Sequence, residues 1–324
     1  MDIPDPVSSE ATVADHKAAV IKKYYNKRSD VEGLRQVCLS ISVLIFTGWL
    51  QYFLRNSYWY IYYTMLLING FFWAFVFHGV HELVHGTALR SQFLCNLFKH
   101  IYGFACMRPA IHYYYYHWPH HLHTGDSEKD PELLDSMIDA DINSIKDYVV
   151  YLSGIPFWID RITSLVRHSF GCFLTDRVEY YLRSDLRAQS RISKEAKVYL
   201  ALYVTIACTG ILYHDFGKLL LFHWILPSLI GQVHLRIYLF AEHRGCKISS
   251  EVKHNTRTSS TYSWYSRLAW NMTYHAEHHA YPGVPFYLLK DVSKSSSGIR
   301  NTCIPDGSGG YIMTNIGVIS NINS

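Results

Sequence analysis

Histidines at helical spacing are the residues of this chain with the clearest chemistry. The chain holds 19 histidines in 324 residues, and three clusters repeat a spacing of three or four: His81/His85, His117/His120/His121 and His275/His278/His279. Residues three and four apart share one face of a helix, so each cluster directs its imidazoles into one volume. Neutral imidazole is a good ligand for iron, zinc, copper and nickel. The sequence therefore predicts transition-metal chemistry.

Long apolar segments must position these clusters. The composition is 49% hydrophobic, 15% aromatic and only 17% charged, where globular proteins average about 25% charged residues. Residues 37–54 and 58–77 form one pair of apolar segments, and residues 198–213 and 219–236 form another. Each pair is joined by a short polar turn, which favours transmembrane hairpins. We therefore predict an all-α integral membrane protein with four transmembrane helices as two hairpins and a cytosolic, histidine-rich helical cap.

Basic residues predict which side the cap faces. They concentrate in residues 17–35 and 177–197, and cytosolic segments carry the excess of Lys and Arg. Both termini and residues 78–197 are therefore expected in the cytosol, where two hairpins also place every histidine cluster. Residues 149–170 are predicted to be an amphipathic helix on the membrane and not a fifth span. The membrane would be the endoplasmic reticulum in a eukaryote and the inner membrane in a bacterium.

Composition and cysteine usage exclude several other classes. We predict one domain over residues 1–324, with a cytosolic N-terminal segment at 1–35 and a polar tail at 291–324. The net charge of +4 is mild and the basic residues are divided among several segments, which argues against a nucleic-acid partner. Seven scattered cysteines without C-x-x-C indicate neither a disulfide framework nor a zinc–thiolate site. The polar first 35 residues are unlike a cleavable signal peptide.

The histidine clusters and their surroundings resemble the three-box signature of the membrane fatty acid desaturase superfamily. The boxes read H-E-L-V-H from His81, H-W-P-H-H from His117 with D-P-E from Asp130, and N-M-T-Y-H-A-E-H-H from Asn271 with P-G-V-P behind it. The similarity covers residues 40–290. The E-H-R-G sequence from Glu242 is similar to an E-H-x-G element that supplies an additional histidine in the related alkane monooxygenases.

This resemblance implies a non-haem di-iron centre that uses O₂ and two external electrons to attack an unactivated C–H bond. The products would be an alkene or an alcohol, and the substrate would be lipophilic, such as an acyl chain or a terpenoid or polyketide tail. The implied ligand set is His81, His85, His117, His120, His121, His243, His275, His278 and His279. The chain has no cytochrome b5-like His-Pro-Gly-Gly, so we expect a separate donor, cytochrome b5 or ferredoxin with its reductase.

Pro119 is a departure within the second box. A proline is disfavoured in a helix interior and restricts the residue before it, so the sequence predicts that the helix begins near Pro119. His117 would then be displaced, and His112 or His123 are the alternatives for its place.

Polar residues beside the boxes are expected to support the ligands. Carboxylates next to metal-bound histidines more often hold the far ring nitrogen than the metal, which is the role expected here of Glu82, Asp130, Glu242 and Glu277. Asn271 precedes His275 by four residues, so it is predicted to share that helix face and to reach a metal-bound water.

Two other classes of function compete with this interpretation. HELVH also satisfies H-E-x-x-H, in which two histidines bind zinc and Glu82 would be the general base of an intramembrane protease. The Pro305-Asp306-Gly307 sequence resembles the second motif of such proteases, but it lies in a polar tail and seven clustered histidines stay unexplained. A metal-binding or transport protein without catalysis would instead carry ionisable residues along its spans, whereas these histidines gather at one face.

Overall fold

The computed structural model describes residues 17–134, 142, 144–246, 249 and 251–295. These residues form helices and turns without a β-strand. After a helical stretch at 17–25, the helices in chain order are α1 (Asp30–Phe53), α2 (Trp59–Val84), α3 (Gln92–Ala105), α4 (Ala110–His123), α5 (Pro131–Leu134), α6 (Ile145–Ser153), α7 (Ile155–Ser169), α8 (Leu186–Leu212), α9 (His214–His243), α10 (Val252–Asn255), α11 (Ser263–Leu268), α12 (His275–Ala280) and α13 (Leu289–Ser295). Short 3₁₀ turns lie at Leu54–Asn56, Tyr180–Leu182, Met272–Tyr274 and Phe286–Leu288.

Four helices are long and apolar enough to cross a membrane: α1, α2, α8 and α9. They confirm the predicted all-α fold with four spanning helices. Each helix extends beyond the apolar segment that predicted it, because intrahelical hydrogen bonds continue past the apolar residues. The extension matters at α2 and α9, whose last turns contain His81 and His243.

Helices α2 and α9 cross closely at two glycines. A Cβ atom added to Gly231 would lie 2.6 Å from the backbone oxygen of Gly70 and 3.0 Å from the backbone nitrogen of Ala74. Small residues allow such backbone approach between helices in a membrane, where packing and not the hydrophobic effect drives association. The crossing therefore brings the histidine-bearing ends of both helices together.

A polar network inside the spans accommodates a break in α9. Leu221–Ile225 form a π-helical turn, and Pro227 follows it without an N–H to donate. The Phe222 carbonyl instead accepts a hydrogen bond from Gln51 Nε2 at 3.0 Å. Gln51 Oε1 in turn accepts from Asn69 Nδ2 at 3.0 Å. The network joins α1, α2 and α9 and satisfies backbone that lipid cannot solvate.

Helices α6 and α7 meet at an angle of 50°. Gly154 adopts φ of +68° between them, a left-handed conformation that glycine tolerates without strain. Exposed apolar side chains, such as Val149 and Ile159, lie on the outer face of the pair, as an amphipathic surface helix requires. Taken together, the two helices are also long and apolar enough to form one bent span. Their surface position therefore stays a prediction.

The largest buried apolar cluster supports the C-terminal half of α2. Val80 and Leu83 pack there with residues from the turn before α12 and the segment behind it, including Trp270 and Phe286, all 0–1% exposed. Dense packing restricts side-chain rotamers and transmits displacement. Dense packing therefore restricts the movement of the part of α2 that carries His81.

Candidate metal centre

The nine predicted ligand histidines lie in two adjoining groups. One group contains His81, His85, His117, His121 and His278, and the other contains His120, His243 and His279. His275 joins the second group, because its Nε2 lies 3.0 Å from that of His243 and 3.1 Å from that of His279. The structure therefore brings together every histidine of the predicted set.

Helical spacing decides which histidines of a box share a group. In H-x-x-H-H, the first and third histidines are four residues apart, and they fall in the same group in both such boxes. His117 and His121 belong to the first group, while His275 and His279 belong to the second. The middle histidines, His120 and His278, point to the opposite group. Each of these two boxes therefore contributes histidines to both groups and links them, whereas His81 and His85 of the first box both lie in the first group.

The nitrogen distances fit ligands of a shared ion. The Nε2 atoms of His81 and His278 are 2.9 Å apart, and that of His117 lies 2.9 Å from His85 Nε2 and 3.0 Å from His121 Nε2. Two imidazole nitrogens about 2.1 Å from one ion and at a right angle to each other are about 3.0 Å apart. Several Nε2 atoms converge on one point, which suits a cation better than a set of paired hydrogen bonds.

Three predicted carboxylates face the far ring nitrogens. Asp130 Oδ1 lies 2.9 Å from His120 Nδ1, Glu82 Oε1 lies 3.2 Å from His278 Nδ1, and Glu242 Oε1 lies 3.3 Å from His275 Nδ1. Only the Asp130 contact has hydrogen-bond geometry, and the other two are contacts at ion-pair distance. A carboxylate at Nδ1 directs Nε2 toward a metal and raises its basicity.

Glu277 and Asn271 do not occupy their expected places. The Glu277 carboxylate accepts a hydrogen bond from the Thr258 hydroxyl and holds no ligand histidine among the described residues. Asn271 adopts φ of +56°, outside α12, which begins at His275. Its side chain donates to the Phe286 carbonyl at 3.2 Å. The prediction that Asn271 shares a helix face with His275 is wrong, because a 3₁₀ turn separates them.

Three further groups at Nδ1 were not identified as ligand supports from the sequence. The Tyr113 hydroxyl lies 3.2 Å from His81 Nδ1, Thr124 Oγ1 lies 3.1 Å from His279 Nδ1, and the Asn255 carbonyl lies 3.0 Å from His243 Nδ1. Tyr113 and Thr124 lie four residues from box histidines, a spacing that could have singled them out. A backbone carbonyl such as that of Asn255 leaves no signal in a sequence.

The prediction that the helix of the second box begins near Pro119, with His117 displaced, is wrong. Helix α4 runs through Pro119 and holds His117, which is buried in the first histidine group. Proline removes one backbone hydrogen bond, but packing of the buried α4 face outweighs that loss. Neither His112 nor His123 is therefore needed in place of His117. His112 contacts Glu179 instead, and His123 lies outside both groups.

His112, His168 and Glu179 form a separate buried cluster. Glu179 Oε1 lies 2.5 Å from His168 Nε2 and 3.2 Å from His112 Nε2, while its Oε2 accepts from the Leu174 N–H at 2.6 Å. These contacts join one carboxylate directly to both rings, which we interpret as a structural cluster. The cluster fastens residues 174–179 to α4 and α7.

Burial sets the protonation of the ligand histidines. Burial first, and then neighbouring histidines, hold the pKa of His117, His121, His278 and His279 well below the usual range. These rings are neutral at pH 7, the form that binds a metal.

His120 differs from the other ligand histidines. Burial lowers its pKa, but Asp130 and Glu132 outweigh burial and raise it to about 9. The two carboxylates stabilise positive charge on the His120 ring. A metal cation bound at His120 Nε2 would supply that charge in place of the proton.

A cavity of about 270 Å³ opens beside the two groups. His81, His120, His243 and His275 line it on one side. Aromatic side chains that include Phe77, Tyr113, Phe157 and Phe240 line much of the rest. A small apolar cavity with convergent polar groups is typical of a substrate site.

Comparison with known proteins agrees with this geometry. The family model described as fatty acid desaturase matches residues 57–299, three quarters of the chain, and that range contains all nine histidines. No curated protein matches the chain.

Proposed function

The chain belongs to the fatty acid desaturase family, and from this premise we propose that it holds two iron ions and uses O₂ to oxidise an unactivated C–H bond of a lipophilic substrate. It is an integral membrane oxidoreductase of the desaturase or hydroxylase type. The observation that carries the proposal is the pair of adjoining groups formed by nine buried or half-buried histidines. Each group would hold one ion.

Iron bound there would supply the reductive activation of O₂, a chemistry that no amino-acid side chain provides. The four-electron reduction of O₂ takes two electrons from the substrate carbon and two from an external donor. The Nε2 atoms would hold the ions, while Glu82, Asp130 and Glu242 fix the ring orientations from Nδ1. The aromatic wall of the cavity would position the substrate carbon and exclude water.

We propose cytochrome b5, or ferredoxin with its reductase, as the electron donor. The substrate would enter from the bilayer, since α2 and α9 carry ligands at the ends of membrane-spanning helices. We also propose that the metal centre faces the cytosol, because the chain segments rich in Lys and Arg lie on its side of the spans.

The zinc protease alternative gains no support from the site. Its general base must face a water at an open metal position, whereas Glu82 faces the Nδ1 of His278. His81 and His85 lie in a group of five histidines. The Pro305-Asp306-Gly307 sequence lies outside the described residues.

Metal and product analysis test the proposal. Purified protein from iron-supplemented cells is expected to contain two ions per chain. Co-expressed with a reductase and its carrier, it should convert a component of a lipid extract to an alkene or alcohol detectable by mass spectrometry. His275→Ala, His278→Ala and His279→Ala should each abolish turnover, whereas His254→Ala, which lies outside both groups, should not. One ion or none per chain, or full activity in a box variant, would overturn the assignment.

A further inference from the structure

Three buried arginines line the cavity beside the metal-ligand histidines. Arg108, Arg161 and Arg236 are 2%, 3% and 2% exposed, and all three face the cavity that His81 and His120 also line. Arginine is almost never fully buried unless it is paired, because removing its charge from water is costly. The three buried guanidinium groups therefore need negative charge or hydrogen-bond acceptors inside the cavity.

The described residues supply aromatic rings but little negative charge. The Arg108 guanidinium carbon lies 4.5 Å from the ring centre of Tyr113, and that of Arg236 lies 4.4 Å from Phe157. Among these residues, Arg108 and Arg236 form no ion pair, and Arg161 reaches Asp160 only at 3.7 Å. The Nε atoms of all three arginines have no hydrogen-bond partner there. Cation–π contacts offset only part of the cost of burial.

The carboxylates of the cavity serve other groups. Asp130 bonds to His120, and Glu242 lies beside His275. The Glu132 side chain is 31% exposed, and its Oε2 lies 3.8 Å from His120 Nε2. None of the three forms an ion pair with Arg108, Arg161 or Arg236. Among the described residues that line this cavity, positive charge therefore exceeds the negative charge available to the arginines, and bound metal ions would increase the excess.

We propose that this cavity binds the substrate by an anionic head group, a carboxylate or a phosphate, which the three arginines neutralise. The inference rests on the proposed function and specifies its substrate as an amphiphilic acid. The guanidinium fork matches both oxyanions in shape and in hydrogen-bond geometry. Tyr113, Phe157 and Phe240 offer apolar surface to the adjoining carbons.

The position of the arginines also restricts where oxidation occurs. They line the same cavity of about 270 Å³ as the ligand histidines. The anionic group is therefore held inside the protein and not at the membrane surface, and the oxidised carbon lies close to it along the chain. A second cavity, of about 250 Å³, shares Arg108 and Arg161. It adds Arg167 and Arg177 and also the carboxylates Asp160 and Glu179, so its arginines are partly compensated.

Direct binding of matched amphiphiles tests the proposal without turnover. The probes are decanoate, decyl phosphate and 1-decanol, titrated against the metal-loaded protein in lipid nanodiscs by calorimetry. Wild type should bind at least one anion about 10-fold or more tightly than decanol, since hydrogen bonds to charged groups contribute strongly. A preference for decanoate indicates a free acid, and one for decyl phosphate indicates a phosphorylated lipid.

Substitution of the arginines should remove this preference. Arg108→Gln, Arg161→Gln and Arg236→Gln are each expected to weaken anion binding by about 10- to 100-fold and to leave decanol binding unchanged. Arg183→Gln is the matched control, because Arg183 is exposed and paired with Asp176. Equal affinity of wild type for decanol and for both anions, or Gln variants that bind anions like wild type, would overturn the proposal.

Thermal unfolding of the same variants distinguishes a binding role from a structural one. An uncompensated buried charge is costly, so ligand-free Gln variants should unfold at or above the wild-type temperature. The anion should stabilise wild type and not the variants. Variants that fail to fold would instead show that the arginines are structural and would contradict the inference. Anion binding without any oxidised product would refute the oxidase assignment alone.

Discussion

At the scale of single residues, each metal-facing imidazole has two distinct nitrogens with separate tasks. The Nε2 atoms converge within the two groups, while six of the nine rings meet a polar partner at Nδ1. Burial keeps rings such as His117 and His121 neutral by lowering their pKa. The partners at Nδ1 then decide in which direction the lone pair at Nε2 points.

Glu82→Gln is predicted to reduce metal affinity or turnover by about 10- to 100-fold, the usual effect of losing a group that orients a ligand. Gln keeps the volume of Glu82 but replaces the carboxyl group that lies 3.2 Å from His278 Nδ1 with an amide. Metal content and initial rates should be measured together. Glu277→Gln is the control, since Glu277 is equally buried but bonds to Thr258. Peptide cleavage by the wild type that is lost in Glu82→Gln would decide for a protease.

At the scale of elements, the centre depends on how helices cross. The α2 and α9 helices approach at Gly70 and Gly231, and their C-terminal ends meet beyond that point. Helix α4 places its histidines between them, although it contains Pro119. The cluster around Glu179 fastens α4 to the segment after α7. Two of these contacts lead to predictions far from any ligand.

Gly231→Ala is predicted to lower both thermal stability and metal content. The new Cβ would lie 2.6 Å from the Gly70 oxygen, so α2 and α9 must move apart, and overpacking typically costs about 1–3 kcal/mol. Gly48→Ala is the matched control within a span, because its Cβ would approach no atom closer than 3.7 Å. Unfolding temperature and bound iron are the measurements. Equal iron in Gly231→Ala and wild type would show that the crossing does not position the centre.

Glu179→Gln is predicted to destabilise the protein by about 2–3 kcal/mol at pH 7, as loss of a buried charge-assisted hydrogen bond does. Burial by itself raises the pKa of Glu179, but the adjacent His112 and His168 rings outweigh burial and hold that pKa well below its usual range. A depressed carboxyl pKa stabilises the fold above the pKa of the unfolded chain, about 4.3. The stabilisation is therefore complete at pH 7 and is lost as the pH falls below that value.

Thermal unfolding of both proteins between pH 7 and pH 2 measures this effect, because the stabilisation is lost only below the pKa of the unfolded chain. The difference between wild type and Glu179→Gln should shrink toward the acidic end. Asp176→Asn removes an exposed carboxylate and should have little effect at either pH. A difference that stays constant with pH would show that the Glu179 charge is not what stabilises the cluster.

At the scale of the whole molecule, one shared centre constrains the topology. The histidines come from the ends of two spans and from two helices outside the spans, so all four elements must meet on one side of the membrane. The turn at 56–58 and the start of α9 lie at the other ends of the spans. A topology that separates the boxes would leave neither group complete.

Cysteine labelling is predicted to detect this arrangement. Ser57→Cys should react with a membrane-impermeant reagent in intact, correctly oriented cells, whereas Ser127→Cys should react only after permeabilisation. Both positions are exposed on the protein, so access across the membrane decides the outcome. Labelling of wild type measures the contribution of the native cysteines. Reaction of Ser127→Cys from outside would place the metal centre on the far side and contradict the cytosolic assignment.

The sequence by itself determined the features that depend on local spacing and composition. Apolar segments of sufficient length predicted four spanning helices, because lipid requires every backbone polar group to bond within its own helix. Spacings of three and four residues predicted that each box presents a common face. The match between these boxes and a known signature extended the prediction to all nine histidines, including His243 from a separate element.

Only the tertiary structure decided the features that depend on contacts between distant segments. It divided the histidines into groups of five and four, and it placed His120 opposite His117 and His121 within one box. Helix α4 continues through Pro119, because burial of one face of the helix outweighs one lost backbone hydrogen bond. The tertiary structure also enclosed Arg108, Arg161 and Arg236 in one cavity. Nothing in their local sequence links these arginines, because their proximity arises from the packing of helices far apart in the chain.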